Sequence, residues 1–413
     1  MTFSWAELEA RLPAEPDRVQ GPTNAQATLR LFGQDEAAVR VTLYRDHHAW
    51  CPYCQKVWLW LEERRIPYRI RKVTMFCYGE KEAWYRQRVP SGMLPALEVD
   101  GRLITESDRI LEALEQALGP LGPAMDDSRV LPLRQLERVL FRAWCEWLCQ
   151  PNSGASEARA RAQFQRIAHS MEQALAVHGG PFFFGADLTT ADVVFVPYVE
   201  RMNASLAYYK GFLLRQEHPA IHRWFEALEQ RPTYLGTQSD FHTHAHDLPP
   251  QMGGCYANGD QSQRLLAARI DQGPWPIADP DPETSQPQPP EAALVALARV
   301  LKHRSTLLQR NPLPRELFEP ALRAALTALL ISTEPSLAGT MAPPPAGSAP
   351  GLRYLRDRIS VPRDMPLHSA RLLRQALEAM ALRDPSDPAR QGEPIPVRHR
   401  RDQDPRPFLA TAT

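Results

Sequence analysis

The stretch that most constrains the fold is Trp50-Cys51-Pro52-Tyr53-Cys54-Gln55-Lys56, because the hydrophobic pattern changes period across it. Residues 39–44 before it form an apolar run that reads as a buried strand, and residues 57–65 after it read as a helix. A Cys-x-x-Cys at a strand-to-helix turn puts its first sulfur at the helix N-terminus. Free backbone N–H groups and the helix dipole favour a thiolate there. Pro52 suits the first helical turn, where its missing N–H has no partner to lose. Cys54, three residues on, is within reach of the Cys51 sulfur and can close a disulfide or resolve a mixed one. Half of a zinc site is the competing reading, but the sequence holds no second Cys-x-x-Cys and no Cys-x-x-His.

The order around this motif is strand (39–44), helix (52–65), strand (68–73), a variable segment, strand (96–99), strand (102–105) and helix (107–118). Asp100-Gly101 between the last two strands is a hairpin signal. A βαβ–ββα order with Cys-x-x-Cys after its first strand describes an α/β, thioredoxin-like domain. Such a domain carries a cis-proline before its third strand, and Pro95 stands there. A cis bond turns the Leu94 backbone outward, where its N–H and C=O can pair with a peptide-like ligand. Ser107 reads as the N-cap of the following helix. With Glu106 it offers a carboxylate, a hydroxyl and free N–H groups to an amino-acid head group.

With 413 residues, 43% hydrophobic and 23% charged, the chain has material for two or three domains with real cores. A formal net charge of zero argues against a general nucleic-acid binder. The first residues show no basic-then-apolar leader, no apolar run reaches membrane-spanning length, and six cysteines do not make a disulfide framework. A reducing, cytoplasmic setting is the expectation.

The chain divides into a lead-in (1–38), the α/β unit (39–118), a linker (119–125), an all-helical unit (126–235), a mostly helical, loop-rich extension (236–382) and a tail expected to be disordered (383–413). Helical periodicity marks 130–148 and 157–177. Thr189 and Asp192 have the spacing of a capping box ahead of the apolar run 193–198, a feature of folding rather than chemistry. Cys145 and Cys149 read as core packing, and Cys77 as a packed thiol near the site. His242, His244 and His246 alternate; in an extended segment they would point one way and, with Asp247 or Cys255, could hold zinc or iron. The favoured reading is a surface loop whose histidines bond to backbone or water, and no metal ligand is assigned. Residues 271–290 read as loop, 291–309 and 316–331 as helices, 334–350 as a flexible stretch and 368–380 as a last helix. The arginines between 351 and 365 are expected to pair with acidic residues.

The run Val89-Pro90-Ser91-Gly92-Met93-Leu94-Pro95-Ala96-Leu97-Glu98, followed by Leu103-Ile104-Thr105-Glu106-Ser107, resembles the glutathione-binding half of glutathione transferases. Cys51, in place of a catalytic Ser or Tyr, makes it similar to the cysteine-type classes, omega among them. Lys81, three before Trp84, matches the omega lysine that holds the glycine carboxylate of glutathione. Cys-Pro-Tyr-Cys is also the motif of dithiol glutaredoxins. That motif, the lead-in and the long extension together resemble the iota class, over residues 1 to about 380. The resemblance implies glutathione as co-substrate, Cys51 as nucleophile and Cys54 as resolving thiol. It implies Tyr53, Lys81, Leu94, Pro95, Glu106 and Ser107 as the glutathione site, with Tyr53 and Trp50 bordering the side where a second substrate enters. The implied activity is thiol–disulfide exchange on glutathionylated or small disulfide substrates, with dehydroascorbate reduction as an extension of it. No nucleic acid or membrane partner is implied, and a homodimer is compatible. Two alternatives stay open: an iron–sulfur protein of the glutaredoxin kind, and a non-catalytic module that binds glutathione or another ligand.

Overall fold

The computed structural model describes residues 2–272, 281–333 and 341–386. A five-stranded sheet, in the order β1-β3-β2-β4-β5, is built from β1 (Leu29–Arg30), β2 (Val41–Asp46), β3 (Tyr68–Val73), β4 (Ala96–Val99) and β5 (Arg102–Thr105). β2 and β3 run parallel, with Leu43 opposite Ile70, while β4 and β5 add as antiparallel neighbours on the other side. Helix α1 (Trp5–Glu9) precedes the sheet, α2 (Pro52–Glu63) crosses over between β2 and β3, and α3 (Ala83–Arg88) and α4 (Ser107–Leu118) complete the unit. β2 is buried along almost its whole length because it lies in the middle of the sheet with structure on both faces.

A helical unit follows: α5 (Val130–Leu148), α6 (Gly154–Ala176), α7 (Thr190–Lys210), α8 (Leu214–Glu217), α9 (Pro219–Glu229) and α10 (Pro232–Thr237). α7 is its spine, with all 21 residues buried. The Thr189–Asp192 capping box starts it, and Asp192 also accepts from the Trp224 indole at 3.0 Å, so the cap is tied into the core. The fold is thus a thioredoxin-like sheet domain, an all-helical domain and a mostly helical extension.

The extension comprises α11 (Phe241–Met252), α12 (Gln261–Gln272), α13 (Ala292–Lys302), α14 (Arg304–Arg310), α15 (Arg315–Thr333), α16 (Ala349–Arg356) and α17 (Leu367–Ala381). α13 to α17 close around their own apolar core, and Phe3 and Leu8 of the lead-in are buried in it. The lead-in therefore joins two units: α1 packs on α15, while β1 extends the sheet beside β3. Arg30 of β1 makes a buried ion pair with Glu62 at 2.9 Å, which also accepts from the Tyr68 hydroxyl at 2.6 Å. The arginine-rich segment pairs as expected: Arg353 and Arg356 with Glu378, Arg356 with Asp357, and Arg363 with Asp364.

Several expectations are corrected. The histidine run is neither extended nor a surface loop; it is the first half of α11, buried throughout. Asp240 caps that helix by accepting from the Thr243 N–H at 2.9 Å, and Gly253 ends it in the left-handed conformation. Packing against α7 overrides the alternating pattern. Ser107 is the first helical residue and not the N-cap, which is Glu106 with φ of 66°. The chain turns sharply out of β5 there, so the cap falls one residue early. The expected helix 291–309 is interrupted at His303. Residues 271–272 finish α12 rather than opening a loop, and residues 281–290 run without helix or strand. The loop expected over 273–280 and the flexible stretch over 334–340 lie outside the described residues. So do residues 387–413 of the expected tail, whereas Asp384 is buried and accepts from the Gly347 and Ala349 N–H groups.

Candidate active site

Cys51 occupies the N-cap of α2 and Pro52 its first position, so the Cys51 sulfur stands at the positive end of the helix. The turn leading into it is held by Asp46, at the end of β2. Its Oδ2 accepts from the Trp50 N–H at 2.6 Å and the Cys51 N–H at 3.1 Å. Cys54 lies one turn beneath, fully buried, and its thiol hydrogen-bonds the Cys51 sulfur. Burial first, then the Cys51 sulfur and the Asp46 charge, push the Cys54 thiol well up. Cys54 is therefore a protonated donor at neutral pH, and the pair is asymmetric.

Two concavities meet at this point. A largely apolar cavity of about 200 Å³ is lined by Cys51, Tyr53, Met75, Lys81, Leu94, Phe141, Tyr198, Leu248, Gln251 and Met252. A more polar groove of about 590 Å³ is lined by Tyr53, Leu94, Pro95, Glu106, Ser107, Lys56 and Arg138. Tyr53, Met93, Leu94 and Tyr198 belong to both and form the threshold between them. The Leu94–Pro95 bond is cis. Lys81 sits on the Cys51 side, its Nζ donating to the Thr74 carbonyl at 2.9 Å; burial holds its pKa below the usual lysine range. The fold thus brings Cys51, Cys54, Tyr53, Lys81, Leu94, Pro95, Glu106 and Ser107 around one cleft.

Trp50 is corrected. It does not border the opening; it is buried at 1% exposure and points into the protein. Its indole N–H donates to His244 Nδ1 at 3.0 Å, and His244 Nε2 meets Glu200 Oε1 at 2.8 Å. Burial, the largest influence, keeps the His244 pKa low, so the ring is neutral with its proton on Nε2. Arg201 lies over the Trp50 ring at 4.6 Å and donates to the Trp50 carbonyl and to Gln55 Oε1. Cys77 is buried beside Met75, and the Gln251 amide lies 3.7 Å from both of their sulfurs.

Sequence reasoning missed Asp46, Arg201, His244, Leu248 and Gln251. Asp46 had a usable signal, an acid at the buried end of the strand before the motif. The others come from α7 and α11, and nothing in their spacing pointed to Cys51. The extension is thus a wall of the cleft: Leu248, Gln251 and Met252 of α11 line it. Among the described residues no helix is long and apolar enough to cross a membrane.

Comparison with known proteins finds similarity over part of this chain. Residues 50–117 match the model of the glutathione S-transferase N-terminal domain, and residues 138–237 that of the glutathione S-transferase C-terminal domain. Glutathione S-transferase DHAR2 of Arabidopsis thaliana is 24% identical over 189 residues, 46% of this chain and 84% of the relative. Probable glutathione S-transferase DHAR1, cytosolic, of Oryza sativa subsp. japonica is 27% identical over 194 residues, with the same two coverages. Among solved structures, glutathione transferase Omega 3C from Trametes versicolor is 27% identical with a TM-score of 0.43, covering 49% of this chain and 90% of that one. Residues 50–117 and 138–237 are thus similar to the paired N-terminal and C-terminal domains of glutathione S-transferases, and the extension beyond lies outside both matches.

Proposed function

We propose that this chain is a glutathione-dependent thiol–disulfide oxidoreductase of the cysteine type, with Cys51 as nucleophile. The observation that carries the reading is the asymmetric pair at the start of α2. Cys51 sits at the helix N-cap and opens onto the cleft, while Cys54 lies beneath it as a buried, protonated donor. A Ser or Tyr hydroxyl at this position would stabilise the glutathione thiolate for conjugation; a cysteine bonds to glutathione instead, which favours exchange.

The Cys51 thiolate attacks the glutathione sulfur of a mixed disulfide. A bond forms between Cys51 and glutathione, the substrate sulfur leaves with the electron pair, and it takes up a proton. The thiolate of a second glutathione then attacks the glutathione sulfur, freeing Cys51 and giving glutathione disulfide. Cys54 can displace glutathione by losing its own proton, leaving a Cys51–Cys54 disulfide. Its raised pKa makes this the slower exit. Glutathione lies along the polar groove, its backbone against Leu94, its amino-acid head at Glu106 and Ser107 and its other carboxylate toward Lys81. The apolar cavity under Leu248 and Met252 receives the second substrate. Dehydroascorbate, reduced to ascorbate by two glutathione thiols that leave as glutathione disulfide, fits the same scheme. The iota-class assignment and a cytoplasmic location are parts of the same proposal.

A thioltransferase assay with glutathione and a small mixed disulfide tests it. Cys51→Ser is expected to abolish turnover and Cys54→Ser to leave much of it. Equal activity in wild type and both variants refutes the assignment.

A further inference from the structure

Because the histidine run is helical, its members separate. His244 turns toward Trp50, while His242 and His246, four residues apart, share the opposite side with ring centroids 4.7 Å apart. Asp271, near the end of α12, faces them: His246 Nε2 lies 2.6 Å from Asp271 Oδ1. Asp357, directly after α16, approaches from the extension, with Oδ1 at 3.7 Å from His242 Nε2. One donor atom each from His242, His246 and Asp271 falls within 4.8 Å of the other two. All four side chains are buried, and none lines the cleft at Cys51.

Acidic and basic side chains of the extension surround this point. Asp271, Asp357 and Glu378 are faced by Arg353 and Arg356; Arg356 pairs with Asp357 at 2.7 Å and with Glu378 at 2.5 Å, and Arg353 pairs with Glu378 at 3.1 Å. The Tyr208 hydroxyl donates to Asp271 Oδ2 at 3.0 Å, which fixes the carboxylate from behind as an outer partner does in metal centres. A hydrogen bond between His246 and Asp271 satisfies those two groups. The His242 ring shares that buried point, so two imidazole nitrogens and a carboxylate oxygen converge there.

We propose that His242, His246 and Asp271, with Asp357 as fourth ligand, bind a divalent transition ion of the zinc type. Imidazole nitrogen and carboxylate oxygen are the donors such an ion takes, at about 2.0–2.2 Å each. Ligands around a tetrahedral ion stand roughly 3.4 Å apart. His246 and Asp271 therefore spread slightly, and His242 and Asp357 close slightly. The four ligands come from α11, α12 and the end of α16, so the ion fastens the later part of the extension to α11 and α12, which pack on α7 of the helical domain. Four protein ligands make the site closed and its role structural, separate from the thiol chemistry.

The full chain, stripped with a chelator and dialysed, is titrated with cobalt(II) and with zinc. One cobalt per chain is expected, with ligand-field absorption of nitrogen and oxygen ligation and without the sulfur-to-cobalt charge-transfer band that Cys51, Cys54 or the other cysteines would give. Zinc is expected to raise the unfolding temperature. His242→Gln, His246→Gln and Asp271→Asn, close in size to the originals, should each weaken cobalt binding by more than about 100-fold. Circular dichroism without metal checks that the variants fold. If they do not, the stoichiometry and spectrum of the unaltered chain decide. No binding at micromolar metal, a thiolate spectrum, or equal affinity in the folded variants overturns the proposal.

Discussion

Replacing His244 with phenylalanine tests whether the extension holds the Cys51 turn in place. In the native protein the Trp50 indole N–H, wholly buried, donates to His244 at 3.0 Å. His244→Phe leaves that N–H without a partner, at a cost of about 1–3 kcal/mol. It also removes the His244–Glu200 contact, adding about 1 kcal/mol, although Glu200 keeps the Ser239 N–H and the Gln55 amide. Destabilisation of roughly 2–4 kcal/mol is expected. Trp50→Phe removes the donor instead, and in the double variant neither group has an orphan. The double variant should therefore be more stable than the sum of the single changes predicts, by about 1–2 kcal/mol. Denaturant unfolding of the four proteins gives this coupling. A second readout is pH. Burial lowers the His244 pKa, so the folded form resists the proton that the unfolded chain accepts near 6.5. Its contribution to stability is whole above that pH and is lost as pH falls through the folded value, where Nδ1–H would confront the Trp50 N–H. His244→Phe should flatten this part of the acid limb, and thioltransferase activity should fall in step with it. Additivity within about 0.5 kcal/mol, or an unchanged acid limb, refutes the argument.

Other outcomes follow from the same structure. Lys81→Met should raise KM for glutathione by about tenfold, equivalent to about 1.4 kcal/mol, with kcat little altered; an unchanged KM removes Lys81 from the glutathione site. Arg374→Met strands the buried Asp240 carboxylate at the junction of α17 and α11 and should cost about 3–5 kcal/mol, with most of it regained in Arg374→Met/Asp240→Asn. A double variant no better than the single one refutes the pairing argument. Burial drives His368 down to about 4 from 6.5, so acidification between those values should remove up to about 3 kcal/mol of stability. His368→Gln should lack that loss, and an identical pH profile would disprove it.

The parts legible in the sequence are those fixed by neighbours along the chain. The second, third and fourth strands of the α/β unit were placed residue for residue, because alternation, Asp100-Gly101 and the motif itself are local signals. Thr189 and Asp192 announced α7, since a capping box spans only three residues. The Cys51–Cys54 turn was readable for the same reason: its electrostatics come from its own helix. The lead-in strand was not readable, because β1 is two residues long and exists only through its pairing with β3. Neither was the N-cap at Glu106, where a left-handed turn out of β5 decided the boundary.

Sequence alone determined that this chain has a dithiol at a helix start inside a thioredoxin-like unit, followed by helical domains. Only the tertiary structure decided what surrounds it. Trp50 turned inward because His244, 194 residues away, offers its indole the acceptor that burial demands. The histidines became a helix because burial against α7 outweighed an alternating pattern. The extension became a wall of the cleft for the same reason: contacts across the fold are set by packing, and packing between distant segments leaves no period along the chain.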